Sequence, residues 1–258
     1  MARVAIGIEY DGSAYSGWQL QQRAPSVQAE LERALSRVAD HPLRLTAAGR
    51  TDAGVHALMQ VAHFDTVSSR PEQAWVLGGS AECARDVGVL WARQVPDDFH
   101  SRFSALSRSY VYRIANRRVR PAIDRARACW VRRLLDADAM HAAAQFLAGE
   151  HDFSAFRAAT CQSPTPVRRV IEVVVRRDAD RVEIGITANA FLHHMVRNLA
   201  GTLIAVGVGD RPAGWVAELL ASCDRTQAGA TAPPQGLYFA GVQYETRWGL
   251  PAASAGLR

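Results

Sequence analysis

The chain has no lysine: all 30 basic residues among its 258 are arginine. That excludes a lysine Schiff base, hence a standard pyridoxal phosphate enzyme, and it excludes the lysine of a P-loop. Cysteine is scarce. Cys83, Cys129, Cys161 and Cys223 stand far apart with no C-x-x-C pair. They read as reduced cytosolic thiols, neither a disulfide frame nor a zinc knuckle. No apolar run reaches a membrane span before charge or glycine breaks it. Met1-Ala2-Arg3-Val4 leads straight into an alternating strand pattern, so no signal peptide and a cytoplasmic location are expected.

What is present leans positive. The net charge is +5, a weak pointer to an anionic partner. Its distribution says more. From Arg102 to Arg133 there are ten arginines (102, 108, 113, 117, 118, 120, 125, 127, 132, 133) against one acid, Asp124, a local excess of ten minus one, or +9. Phe103, Tyr110, Tyr112 and Trp130 are interleaved with them. A one-signed basic stripe with aromatics is the footprint of nucleic-acid binding, and arginine suits bidentate contact with phosphate.

The periodicity predicts a half-buried strand over 2–10, with Val4, Ile6, Ile8 and Tyr10 alternating. Ser26 is a predicted N-cap for a helix to about Ala39, with Val27, Leu31, Leu35 and Val38 on one face. Strands are predicted at 43–48, 57–65 and 87–95, with a short helix opened by Pro71. Residues 96–108 read as a hinge. Beyond it come a strand at 109–115, a helix from Asp136 through Leu147 and a hairpin at 167–177 and 181–188. A helix is expected over 190–206, with Leu192, Met195, Val196, Leu199, Leu203 and Val206 on its apolar side. On that helix Arg197 points away from the stripe and shares a face with His193. A turn or two of helix at 215–221 and a strand at 237–244 complete the pattern. This is an α+β order with helices on one side of each mainly antiparallel sheet. The division expected is 1–105 and 106–258.

The segment Gly49-Arg50-Thr51-Asp52-Ala53-Gly54-Val55-His56-Ala57 concentrates chemistry in a loop between strand-like stretches. Loops on rigid scaffolds carry catalytic residues, and the two glycines can adopt angles closed to other residues. Asp52 has two readings, a turn-capping aspartate and a nucleophile or general base, and loop chemistry alone leaves both open. His56, His63, His193 and His194 with Asp52 also raise a metal-hydrolase reading. No H-x-x-x-H stands on one helix to support it.

The nonapeptide resembles the active-site segment of the TruA family of tRNA pseudouridine synthases. Four further stretches resemble that family in the same order. They are Tyr10-Asp11-Gly12 through Gly17-Trp18-Gln19, then Phe99-His100-Ser101-Arg102-Phe103, then Ala190 through Asn198, and Gly236-Leu237-Tyr238. The R-x-Y-x-Y motif of the family falls on Arg108 through Tyr112. The resemblance implies two similar subdomains with an active-site cleft between them, and no cofactor and no metal. It implies Asp52 as nucleophile, Arg197 as the partner that keeps Asp52 ionised, and Tyr110 as a ring stacked on the base and placed for proton movement. Tyr112 is expected to be packing. Implied tRNA contacts are Arg50, Arg70, Phe99, His100, Ser101, Arg102, Phe103, Arg118 and the loop Thr160-Cys161-Gln162-Ser163-Pro164. The expected reaction is conversion of uridine to pseudouridine at positions 38, 39 and 40 of the tRNA anticodon stem-loop, by a homodimer. The alternatives are an RNA-binding protein without catalysis, a metal-dependent phosphoesterase, and a synthase acting on another RNA site. One stretch departs from the family pattern. Residues 78–86, read as a loop, keep Asp86 but lack the usual Asn and Leu-Pro.

Overall fold

The computed structural model describes residues 1–251. Residues 252–258, the end of the second expected subdomain, lie outside the described part. Among the described residues the chain forms two compact units, one of Met1–Arg108 with 239–251, the other of Ser109–Tyr238. The class is α+β, with mixed, mostly antiparallel strand pairing and five α-helices among the described residues.

In the first unit the strands lie in the order β4 (Val87–Val95), β1 (Ala2–Tyr10), β3 (His56–Thr66), β10 (Leu237–Tyr244). Strand β1 pairs antiparallel with both β3 and β4. It is buried on both faces through its middle, not half-buried as its alternation suggests. The reason is Gly7. Its cross-strand neighbour Trp91 lies over it so closely that a Cβ would sit 2.1 Å from Trp91 Nε1. Helix α1 (Val27–Ala39) is capped by the Ser26 hydroxyl, which accepts from Ala29 N–H, and it buries Val27, Leu31 and Leu35 as its spacing predicts.

Two expectations fail here for local reasons. Only Thr46–Ala47 (β2) of the stretch 43–48 is strand. The N–H groups of Leu43 and Leu45 donate instead to Ser36 Oγ and Glu32 Oε1 of α1, each at 2.9 Å, so that backbone needs no ladder. The stretch 78–86 is largely not a loop, because α2 (Glu72–Glu82) runs through it. Gly78 and Gly79 sit against Val38, Leu35 and Val89, where a Cβ would be about 3.0 Å from its neighbours. The pair of glycines is thus a close-packing face.

The second unit has the order β5 (Ala105–Asn116), β9 (Arg181–Ala188), β8 (Val167–Asp178), β7 (Gly149–Asp152), with β5 entering from the first unit. Short β6 (Cys129–Val131) lies parallel to β5. Helix α3 (Ala137–Gln145) starts at the Asp136 cap as predicted, and Gly149, at φ 104°, opens β7. Helix α4 (Met195–Gly207) starts five residues later than the predicted 190. His194 takes a left-handed conformation (φ 61°), and the His193 carbonyl accepts from Ala158 N–H, so residues 190–194 cannot continue the helix. His193 and Arg197 therefore share no helical face. Helix α5 is Trp215–Ser222.

Candidate active site

Asp52 lies on an arch whose two arms are held by the N-terminal loop. The arm before it is fixed from below. Tyr10, at the end of β1, places its hydroxyl 2.7 Å from Thr51 Oγ1, and Gln60 of β3 donates from Nε2 to the Gly49 carbonyl at 2.8 Å. The Thr51 carbonyl accepts from Trp18 N–H at 3.0 Å. The arm after it is fixed from the side. Gly54 N–H donates to the Tyr15 carbonyl at 3.2 Å, and Gly12 N–H lies 3.1 Å from His56 Nδ1. His56 Nδ1 is also 3.1 Å from Asp11 Oδ1. The glycines of the resembling N-terminal stretch have a concrete task here. A Cβ on Gly12 would lie 1.9 Å from the Val55 carbonyl oxygen, and one on Gly17 (φ 98°) would lie 2.6 Å from the Thr51 carbonyl oxygen. Gly54 takes φ 74° at the turn of the arch. Asp52 itself is half-buried, while Arg50 and Ala53 are exposed.

Within 96–108, residues 96–104 form a hydrogen-bonded turn and 105–108 begin β5, with the division between the units after Arg108. Phe99 and Ser101 are fully buried. Ser101 donates its hydroxyl to the Thr46 carbonyl at 2.6 Å and its N–H to His63 Nδ1 at 3.2 Å, and its carbonyl accepts from Tyr244 Oη at 2.6 Å. Neither Phe99 nor Ser101 offers surface to an RNA, which corrects their expected contact role. Their work is to hold up His100, Arg102 and Phe103. Phe103 is 76% exposed, its ring 4.3 Å from His100 and its face 5.5 Å from the Arg102 guanidinium. Burial, with Arg3 nearby, lowers the His100 imidazole. Burial first, then His100 and Arg3, pushes His63 down to about 4, so it is neutral at pH 7. Arg70 is exposed, with Nε on the Val38 carbonyl at 3.1 Å.

In the second unit Tyr110 is half-buried and meets Phe191 edge-on at 4.9 Å. Tyr112 is fully buried and donates to the Pro233 carbonyl at 2.8 Å, the packing role expected of it. Gly236 lies where a Cβ would be 2.9 Å from that tyrosine ring. Arg197 stands in the first turn of α4, with Nε donating to the Ala232 carbonyl at 2.8 Å. Its neighbour Asn198 is buried and donates to the Phe156 carbonyl while accepting from Arg225 and Thr231. The loop 160–164 meets the start of α4. Thr160 Oγ1 is 3.2 Å from His193 Nδ1, and His193 N–H points at Cys161 Sγ at 3.4 Å. Arg157 holds the Cys161 and Ser163 carbonyls at 2.8 Å each. Burial works against a Cys161 thiolate, but the N–H groups of Ser163 and His193 with Arg157 outweigh it and lower the thiol.

The arginine stripe divides. Arg113 is spent on Glu183 and the Tyr238 ring, Arg117 on Asp180, and Arg133 on Asp210. Arg108 binds the carbonyls of Ala48, Ala105 and Arg102. Arg102, Arg118, Arg120 and Arg132 are exposed.

The family model described as tRNA pseudouridine synthase matches residues 6–104 and 143–245. This chain belongs to the tRNA pseudouridine synthase family. Its matched stretches contain the Asp52 arch, the 160–164 loop and Arg197, while Tyr110 falls between them. A Methylococcus capsulatus protein named tRNA pseudouridine synthase A is 55% identical over 248 residues, 96% of this chain and 92% of its own. A Stenotrophomonas maltophilia protein of that name is 55% identical over 251 residues, 97% and 98% of the two chains. One from Coxiella burnetii is 51% identical over 256 residues, 99% and 98%. Family membership identifies an isomerase. No helix among the described residues is long and apolar enough to cross a membrane.

Of the supports of the arch, Tyr10, Tyr15, Trp18, His56 and Asp86 lie within the stretches compared with the family but carry no supporting task there, and Gln60 lies outside every motif. Their signal was an aromatic with a polar tip, or a polar residue inside an apolar strand, close to the resembling stretches.

Proposed function

We propose that this chain isomerises uridine to pseudouridine at positions 38, 39 and 40 of the tRNA anticodon stem-loop, with Asp52 as nucleophile and no cofactor. The observation that carries the reading is the arch. A family-matched loop presents one half-buried carboxylate at its crown, with the backbone on both sides of it tied to rigid strands and to the N-terminal loop. Fixed placement of a reacting group is a large part of catalysis.

The reaction breaks the N1–C1′ bond, turns the base and joins C5 to C1′. The hydrogen leaves C5 as a proton and N1 gains one, so atoms and electrons balance without an oxidant or an energy source. Asp52 attacks at C1′ or at the base. Arg197 is its ion-pair partner in this reading, a cation beside a half-buried carboxylate. The Nε donation to Ala232 supports that role by fixing the guanidinium plane. Tyr110 supplies the ring on which the extruded base stacks and a hydroxyl for proton movement at C5. The two expected subdomains, 1–105 and 106–258, flank the cleft in this reading. Contact with tRNA falls to Arg50, Arg70, His100, Arg102, Phe103, Arg118 and the loop from Thr160 to Pro164. A cytoplasmic homodimer completes the proposal.

The test uses tRNA transcripts carrying C5-tritiated uridine at position 38, 39 or 40 alone, assayed with and without chelator. Tritium release from these transcripts in both conditions is expected. Binding without release overturns the catalytic reading in favour of an RNA-binding protein, and loss of release in chelator favours the phosphoesterase-like metal site.

A further inference from the structure

Three polar side chains lie together inside the apolar core of the first unit. Tyr10 is 2% exposed, Thr51 7% and Gln60 0%. Burial pushes the Tyr10 phenol up to about 12, so it remains a neutral hydrogen-bonding group. Buried polar pairs contribute little net stability over apolar residues of the same shape, but when satisfied they fix one geometry. The geometry fixed here is that of the peptide entering Asp52. Tyr10 ends β1, and Gln60 lies opposite Ile8 of that strand, so both come from paired, rigid backbone. Tyr10 holds the Thr51 hydroxyl, Trp18 holds the Thr51 carbonyl, and Gln60 holds the Gly49 carbonyl two residues earlier. Thr51 is thus gripped at side chain and main chain, one residue before the carboxylate.

We propose that Tyr10 and Thr51 are positioning residues for the isomerisation, their buried hydrogen bond setting the direction in which Asp52 leaves the arch. The inference rests on Asp52 being the nucleophile. Neither side chain touches the substrate. Thr51 acts through the peptide it shares with Asp52, and Tyr10 acts through Thr51. A displacement of about 1 Å at a reacting group costs on the order of a hundredfold in rate.

The experiment compares wild type, Asp52→Ala, Tyr10→Phe, Thr51→Val, Thr51→Ser and the double variant Tyr10→Phe/Thr51→Val. It reads single-turnover tritium release from C5-labelled tRNA, tRNA affinity and thermal unfolding. Release by wild type and none by Asp52→Ala is judged first. Failure of that comparison removes the Asp52 reading itself, and the Tyr10 and Thr51 variants are judged apart from it. Tyr10→Phe and Thr51→Val are expected to bind tRNA within about twofold of wild type and to release tritium about tenfold or more slowly. Thr51→Ser, which keeps the hydroxyl, is expected to restore the rate to within about threefold. The double variant is expected to be no slower than the worse single one, because both remove the same bond. The proposal is overturned if the single variants keep wild-type rates, if their losses multiply, or if Thr51→Ser is as slow as Thr51→Val. Loss of the folded state in both single variants overturns it too, since the bond then serves the fold and not the aim of Asp52.

Discussion

The Tyr15 hydroxyl donates to Asp86 Oδ1 at 2.7 Å, while the carbonyl of the same tyrosine receives the Gly54 N–H at 3.2 Å. Asp86 also supplies its own carbonyl to Asp11 N–H at 2.9 Å. The one acid kept in the stretch that departs from the family pattern thus braces the loop that braces the Asp52 arch. Removing the bond with Tyr15→Phe should cost about 1 kcal/mol, a fall in Tm of about 2–4 °C for a chain of this size. Thermal unfolding checks this, and an unchanged Tm would place the bond among those worth nothing.

The contact of Gly12 with Val55 leads to a sharper expectation. Alanine at Gly12 puts a carbon 1.9 Å from a backbone oxygen, which cannot swing aside as a side chain can. Gly12→Ala should displace the exit arm of the arch and lower tritium release by about a hundredfold. Gly88→Ala, at a β4 position with nothing within 4 Å, is the matched control and should leave rate and Tm near wild type.

Much of this framework is legible in the chain itself. Ser26 and Asp136 mark their helices because a short polar side chain ahead of an apolar face has one good use there. The turn Ala179-Asp180 separates β8 from β9 within one residue of where the pattern puts it. Asp52 stands out through its glycines. What is not legible depends on partners distant in sequence. Leu43 and Leu45 look like strand, and only Ser36 and Glu32 make them otherwise. The start of α4 depends on Ala158 taking the His193 carbonyl. Phe99 and Ser101 look like surface in a polar turn, and His63, Thr46, Tyr244 and Trp248, all distant in sequence, draw them inside. Tyr10 reads as one more apolar position on β1, because nothing in the alternation says that its hydroxyl meets Thr51.

His63 carries a pH expectation. The groups acting on it are His100 and Arg3, which oppose its charge, and Asp65, which favours it, with burial the largest effect. Its folded pKa of about 4 lies below the unfolded value near 6.5, so the unfolded chain binds the extra proton first as pH falls. The stabilisation is complete above about pH 6.5 and is lost progressively down to about pH 4, by up to about 3 kcal/mol. Chemical denaturation at pH 7 and pH 5 should show this loss, and His63→Gln should flatten it. An identical pH dependence in that variant would assign the acid sensitivity elsewhere.

Asn198 ties three stretches of the second unit to α4 while its neighbour Arg197 holds the Ala232 carbonyl. Asn198→Ala removes the donor to the Phe156 carbonyl and the shared acceptor of Arg225 and the Thr231 hydroxyl, which keep their bond to each other, in a site 1% exposed. It should cost about 2–4 kcal/mol, read by denaturant unfolding. A loss below about 0.5 kcal/mol would contradict the role of Asn198 as a tie.

On the proposed RNA-facing side, Phe103→Ala should weaken tRNA binding by about 1–3 kcal/mol with an unchanged Tm, since the ring is 76% exposed. Arg102→Ala should reduce the slope of log affinity against log salt by about one. Filter binding across a salt series measures both, and equal slopes for wild type and Arg102→Ala would remove Arg102 from the phosphate contacts.

In the proposed mechanism the carboxylate of Asp52 does the chemistry while the rest of the arch only presents it. Asp52→Asn keeps the size and leaves the supports of the arch in place. The decisive measurement is single-turnover tritium release from C5-labelled tRNA by this variant at saturating enzyme, alongside its tRNA affinity. Affinity close to wild type and no release above background are expected. Release at a rate near that of wild type would contradict the role given to Asp52.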